Sequence, residues 1–159
     1  MEFFADRNLG KDFPARLRAA GLVVHLHDDH FGPDVADEEW APYVAGRGWI
    51  GLSRDRRIRR TVVEYDAVMF AGGRLLVMTG GGMKTEVLAL NFLNTLPKVR
   101  HLVETTAPPF IAMLYRPSPL DSIFKGAPGS LRVVLTVSDW ERKRRQRFPI
   151  PGLRDPEGT

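Results

Sequence analysis

Asp55 is a lone carboxylate in a run of cations, because Arg54, Arg56, Arg57, Arg59 and Arg60 put five arginines within seven residues. The run follows Trp49-Ile50-Gly51-Leu52-Ser53, which reads as a short buried strand. A strand that ends in an acid and empties into a basic loop suits a divalent cation held against a polyanion. The carboxylate offers hard oxygen ligands, and guanidinium groups grip phosphate. The competing reading is a solvated loop in which Asp55 only neutralises its neighbours. A metal site needs further ligands, and the acids available are Asp6, the pair Asp28-Asp29, and the run Asp37-Glu38-Glu39.

Two other constellations invite chemistry and fall short. His25, His27 and His30 suggest zinc, yet zinc takes three or four converging nitrogen or sulfur ligands and the chain has no cysteine. Gly80-Gly81-Gly82-Met83-Lys84-Thr85 follows a predicted strand and opens a helix, which can cradle phosphate. Its spacing matches neither a P-loop nor a dinucleotide fingerprint, so a tight turn is the simpler reading.

The elements between these residues decide whether they meet. Glu2–Ala5 predicts a first strand, and Asp12 a helix N-cap with Pro14 in the first turn and Phe13, Leu17 and Ala20 on one face. Leu22–Leu26 predicts strand two, and Asp37 can cap a helix that turns Trp40, Val44 and Tyr43 inward. After the strand at Trp49, Thr61–Phe70 predicts a helix and Arg74–Met78 strand four. Met83–Leu96 predicts a long helix stopped by Pro97, with a further helix around Val99, Leu102 and Val103, then strand five at Phe110–Leu114. Leu131–Val137 predicts an edge strand or a hairpin partner of strand five.

Alternating strands and helices specify an α/β fold with a mostly parallel sheet. Loops leaving the carboxyl ends of such strands gather on one rim, where ligands usually bind. Asp6, Asp28, Asp29 and Asp55 leave strands one, two and three, and Asp37, Glu38 and Glu39 open a helix facing the same rim. Each acid also has a plain role open to it, since Asp37 can simply cap and Glu38 and Glu39 can complement a helix dipole.

A chain of 159 residues supports one core, and 43% apolar with 26% charged residues is ordinary for a globular domain. No stretch approaches the length of a membrane-spanning helix, and the acidic start lacks a signal-peptide layout, so a cytoplasmic protein without membrane contact is expected. The net charge of +4 and pI of 9.8 lean towards an acidic partner or nucleic acid. The cations are patchy, clustering after Leu52 and again at Arg142, Lys143, Arg144, Arg145 and Arg147.

Phe3-Phe4-Ala5-Asp6-Arg7-Asn8-Leu9-Gly10 opens a set of stretches that resembles the PIN-like domains of VapC-type toxin ribonucleases. His25 to Phe31, Pro33 through Asp37-Glu38-Glu39-Trp40, Gly48-Trp49-Ile50 through Arg59, and Pro108 to Ala112 continue it in order. The resemblance covers residues 2–115 and implies a three-layer α/β/α domain over 1–137, with the strand at 131–137 added and 138–159 a basic, flexible tail. It implies a Mg²⁺- or Mn²⁺-dependent endoribonuclease, the toxin of a toxin–antitoxin pair, with RNA as substrate, a small antitoxin protein as partner and a homodimer as assembly. The metal and catalytic acids it implies are Asp6, Asp55 and one of Asp37 and Glu38. Arg54, Arg56 and Arg57 are expected to position phosphate, with Arg59 and Arg60 farther out.

Asn8 is expected to bond a ligating carboxylate or a metal-bound water. Arg7, Asp28, Asp29, His30, Glu39 and Thr79 are expected as supporting or substrate-contacting residues. The sequence departs from many PIN nucleases in having no carboxylate after strand four, where Thr79 stands and Glu86 is the next acid. Three acids suit one ion better than two. A binding module without cleavage and a DNA-directed PIN-like nuclease are the alternatives.

Overall fold

Phe3 and Phe4 are adjacent and both fully buried, which is possible only if each face of their strand is covered. The structure is a computed structural model that describes residues 1–35, 37–55, 57, 61–149 and 151–152, the side chains of Asp37 and Glu38 excepted. The strands are β1 (Glu2–Ala5), β2 (Val23–Leu26), β3 (Ile50–Ser53), β4 (Arg74–Met78), β5 (Phe110–Tyr115) and β6 (Ser130–Leu135). They form one sheet in the order β2-β1-β3-β4-β5-β6. The first five are parallel, and β6 pairs antiparallel with β5, Tyr115 lying opposite Ser130.

The helices are α1 (Asp12–Ala19), α2 (His27–His30), α3 (Asp37–Gly46), α4 (Val62–Phe70), α5 (Thr85–Thr105) and α6 (Val137–Arg147). Successive strand side chains alternate between two cores. Phe3, Ile50, Leu52, Leu76 and Phe110 pack with Phe13 and Leu17 of α1 and Phe92 of α5. Phe4, Leu75, Val77, Ile111 and Met113 pack with Trp40 and Val44 of α3, Val68 of α4 and Trp140 of α6. The result is a three-layer α/β/α fold with a mostly parallel sheet. Gly51 keeps the second core closed: a Cβ there would stand 3.1 Å from Leu75 Cδ1 and 3.4 Å from the Trp40 ring.

Four local readings of the sequence are corrected. Asp12 does not cap α1. The chain is already helical at Lys11, and the Asp12 carboxylate instead accepts a 2.9 Å hydrogen bond from Arg16 Nε. His27–His30, read as loop, forms one helical turn. Pro97 does not interrupt the long helix, and α5 runs through it to Thr105. Pro97 sits on the exposed side, where losing one N–H donor is least costly, while Phe92, Thr95 and Val99 hold the opposite face in the core.

Residues 138–147, read as part of a basic tail, belong to α6. Thr136 caps this helix, its hydroxyl accepting from the Asp139 N–H at 3.2 Å. Trp140 is the anchor, packed edge-on against Phe70 with Nε1 donating to Asp66 Oδ1 at 2.7 Å. Arg147 then forks onto both Asp66 oxygens at 3.1 Å and donates to the Tyr65 hydroxyl at 2.9 Å.

The turn-rich stretch between β5 and β6 is fastened to α5 by side chains. Asn94 Nδ2 donates to the Ile123 carbonyl at 2.8 Å, and Lys98 Nζ to the Gly129 carbonyl at 2.8 Å. The Gly129 N–H donates to Thr95 Oγ1 at 2.8 Å. A Cβ at Gly129 would overlap the Tyr115 carbonyl oxygen and crowd Asn91 Oδ1 and Thr95 Oγ1, at 3.0 and 3.2 Å. Gly129→Ala should therefore lower the unfolding free energy by about 3 kcal/mol, as overpacking of a closed site does, measurable by urea denaturation. A variant as stable as the parent would show that this junction is not closed.

Candidate active site at the carboxyl rim of the sheet

β1 and β3 end side by side, and the ladder between them extends one residue further, the Asp6 N–H donating to the Leu52 carbonyl at 2.9 Å. That bond fixes Asp6 at the rim with 8% of its surface exposed. Its carboxylate caps the 3₁₀ turn Arg7–Leu9, Oδ1 accepting from the Arg7 N–H at 2.7 Å. Gly10, at φ 68°, then releases the chain towards α1.

Ser53, the last residue of β3, is completely buried and joins these parts. Its hydroxyl lies 3.2 Å from Asp6 Oδ2, which accepts its hydrogen. Its oxygen accepts from Asn8 Nδ2 at 3.0 Å and from the Asp55 N–H at 3.1 Å. A serine hydroxyl has one hydrogen and two lone pairs, so all three are used. Asn8 completes the loop, its Oδ1 accepting from the Arg54 N–H at 3.1 Å. Asn8 thus acts on the acids through Ser53 and the β3 exit. Ser53 was not among the residues singled out from sequence, although one signal was there: a lone hydroxyl closing an otherwise apolar strand.

Asp55 turns back on its own loop. Oδ1 accepts from the Arg57 N–H at 2.9 Å and from Arg57 Nε at 3.1 Å, and Oδ2 accepts from Arg57 Nη2 at 3.1 Å. The Arg57 side chain holds the Asp55 carboxyl below the usual aspartate range, partly opposed by burial. Arg54 points elsewhere, Nη2 donating to the carbonyls of Met83 at 3.0 Å and Gly80 at 3.4 Å. Its guanidinium pins the glycine turn before α5 to the β3 exit. Thr79 follows β4, with both its N–H and its hydroxyl donating to the Leu114 carbonyl, at 2.9 and 3.0 Å.

Beside Asp6 a cleft of about 160 Å³ opens between the ends of β1 and β2, lined by Asp6, Arg7, Lys11, His27 and Asp28 among others. Arg7 spans it, its Nε 3.3 Å from Asp28 Oδ1 and its Nη1 donating to the Pro33 carbonyl. Lys11 and His27 join the site by topology, since both flank turns at the rim.

Asp29 and His30 do not come here. Asp29 faces Arg18 of α1 at 3.9 Å, and His30 Nδ1 lies 3.0 Å from the Tyr43 hydroxyl, its ring edge-on to Trp49. Glu39 is exposed on α3. The side chains of Asp37 and Glu38, and Arg56, Arg59 and Arg60 entirely, lie outside the described residues. Among the described residues no three His, Asp or Glu side chains stand together so as to hold one ion.

Residues 1–80, half of the chain, match the family model described as PIN like domain. The chain belongs to the PIN-like domain family. The match takes in β1, β3 and β4 and so contains Asp6, Ser53, Asp55 and Thr79. This PIN-like chain is also 31% identical over 110 residues to the protein named "Putative ribonuclease VapC45" from Mycobacterium tuberculosis, covering 66% of this chain and 80% of the relative. No solved structure gives a significant match. No helix among the described residues of the PIN-like chain is long and apolar enough to cross a membrane.

Ser53→Ala would leave Asp6 Oδ2, Asn8 Nδ2 and the Asp55 N–H each short of a partner, and should cost about 2 kcal/mol of stability by urea denaturation. Asp55 has a depressed carboxyl pKa, so its contribution to stability is present above the unfolded-state pKa and is lost as pH falls through the folded one. Arg57→Gln should raise that pKa, seen as a carboxyl carbon titrating at higher pH by NMR, and make stability less sensitive to acid. An Asp55 titration unmoved by the substitution would show that the arginine does not set it.

Proposed function

We propose that this PIN-like chain is a metal-dependent endoribonuclease, the toxin half of a toxin–antitoxin pair. One observation carries the reading: a single buried hydroxyl, Ser53 Oγ, reaches both the Asp6 carboxylate and the backbone of Asp55, so two acids far apart in sequence are tied at one rim. The name of the M. tuberculosis relative, a ribonuclease, supports the reaction class.

The donor set fits Mg²⁺ or Mn²⁺, hard cations that take carboxylate oxygens, keep several waters and need only one or two protein carboxylates beside a substrate phosphate. Asp6 and Asp55 are two such ligands, and Asp37 or Glu38, opening α3, is the third in this proposal. When bound, the ion supplies positive charge at the scissile phosphate and lowers the pKa of a coordinated water.

The chain's own residues do the positioning. The Arg7 N–H and the Ser53 hydroxyl each hold one oxygen of Asp6, so the orientation of its carboxylate is fixed. Arg57, 84% exposed at its side chain, is the described cation nearest Asp55 and is assigned to the phosphate, with Arg56, Arg59 and Arg60 along the same loop. Arg54 is assigned to holding the Gly80–Met83 turn open beside the site, because its guanidinium bonds the carbonyls there. A small antitoxin protein and a homodimer belong to the same proposal. The second reading, an RNA-binding module without cleavage, draws on the lack of a three-ligand group among the described residues.

The test is cleavage of single-stranded and structured RNA, and of DNA, by the full chain with Mg²⁺ or Mn²⁺ and with chelator. Cleavage of RNA should require the ion and fall to background in Asp6→Asn and in Asp55→Asn, with both variants folded by circular dichroism. Cutting retained in both variants would overturn the proposal. Metal-independent RNA binding without cutting would favour the module.

A further inference from the structure

The basic run Arg142-Lys143-Arg144-Arg145-Gln146-Arg147 is not absorbed by the site above, and it lies beyond the residues matched to the family. Helix α6 lies antiparallel to α4. Its early residue Trp140 meets Phe70 at the end of α4, and its last, Arg147, meets Tyr65 and Asp66 nearer the start. The start of α4 is where the loop carrying Arg57 arrives from the carboxyl rim. The C-terminal end of α6 is therefore directed at the end of the molecule that holds Asp6 and Asp55.

Charge along α6 is graded in the same direction. Its acids, Asp139 and Glu141, come early, and the cations follow over a helix about 16 Å long. Trp140, Arg144 and Arg147 recur at helical spacing and form the inner stripe. Arg144 lies over the Phe70 ring at 4.6 Å and Arg147 is paired with Asp66. Arg142, which donates to Asp139 Oδ1 at 2.8 Å, is exposed on the outer side, as are Lys143 and Arg145. One aromatic ring stands open at the C-terminal end of this surface, Phe148 at 71% exposure, whereas the Phe70 ring at the other end is covered by Arg144 and Trp140.

We propose that the outer face of α6, with Phe148, binds the backbone and bases of single-stranded RNA as a track leading to the carboxyl rim; RNA as the ligand rests on the nuclease reading. Cations beside an exposed ring are what an unpaired strand requires, since phosphates meet charge and a base stacks on the ring. An acidic protein segment would use the cations and leave the Phe148 ring without a flat partner. A duplex would hide its bases from it.

The test is fluorescence anisotropy of labelled oligouridylates on the full chain in chelator, so that no cleavage intrudes. Lys143→Gln should weaken binding of an oligomer of about 20 nucleotides about threefold, and reduce the log–log salt slope by about 0.7 for one lost phosphate contact. An oligomer of about 6 nucleotides, filling the rim alone, should change less than about twofold. Phe148→Ala should weaken the long oligomer about fivefold or more with the salt slope unchanged, because stacking releases no counterions. Melting temperatures should match the parent in both variants.

Parental affinity for the long oligomer in both variants would overturn the track, and so would equal losses for long and short oligomers. Binding through α6 of polyglutamate in place of RNA would overturn it in favour of a protein partner. The two proposals fail separately. Cleavage by the parent with unchanged RNA binding in the α6 variants removes only the track. Length-dependent loss in a chain that never cuts RNA removes only the nuclease.

Discussion

A buried hydroxyl that makes three hydrogen bonds fixes three directions at once, and Ser53 does this where β1 and β3 stop being a ladder. Backbone pairing can align two strands only while both are extended. Beyond Asp6 the chain turns into a 3₁₀ helix, and beyond Ser53 it turns into the arginine loop, so pairing no longer relates them. The side chains of Asp6, Asn8 and Ser53 take over that task. The geometry of the acids follows from a polar junction that is satisfied within the protein, which is why it survives burial beside a wholly apolar core.

The layered architecture was legible because it depends on period-two alternation in strands with no polar face. Phe3 and Phe4, or Leu75, Leu76 and Val77, announce strands covered on both sides, and only a parallel sheet under helices offers that. The convergence of Asp6 and Asp55 at one rim followed from the same topology. The features that escaped are decided by single contacts. No run of apolar residues marks α6, whose place in the fold comes from Trp140 on Phe70 and from Asp66 meeting Arg147 across about eighty residues. A dense run of cations looks like a tail until one anchor and a half-buried acid are found for it. Pro97 misled for a related reason: a proline stops a helix only when the missing bond costs more than the flanking contacts return, and Phe92 and Val99 are both buried.

The arginines show why a charge count is a poor guide to a binding surface. Arg7 follows β1, Arg54 and Arg57 follow β3, and at one rim of the sheet they would be grouped as one basic patch. Arg54 bonds two carbonyls of the glycine turn, Arg7 bridges Asp28 and Pro33, and Arg57 faces Asp55. The planar fork of guanidinium explains this division, since it can bind two acceptors at fixed angles and serve as a structural strut. Arg147, with Nη2 on Asp66 and Nη1 on the Tyr65 hydroxyl, is such a strut as well. The formal charge of +4 therefore overstates what a polyanion meets at such places.

Thr79 gives a physical reason why the rim carries an acid after β1 and none directly after β4. Its N–H and its hydroxyl both donate to one acceptor, the Leu114 carbonyl, and so close the gap between the ends of β4 and β5. An ionised carboxylate in that place has no hydrogen to give and would set negative oxygen against the carbonyl lone pairs in a buried setting. An acid at the end of β4 and this closure are alternatives. With the closure chosen, the glycine turn beyond Thr79 needs another tie, and Arg54 provides it from the β3 side. The absence of an acid at Thr79 and the inward turn of Arg54 are thus two consequences of one local choice in how the rim is shut.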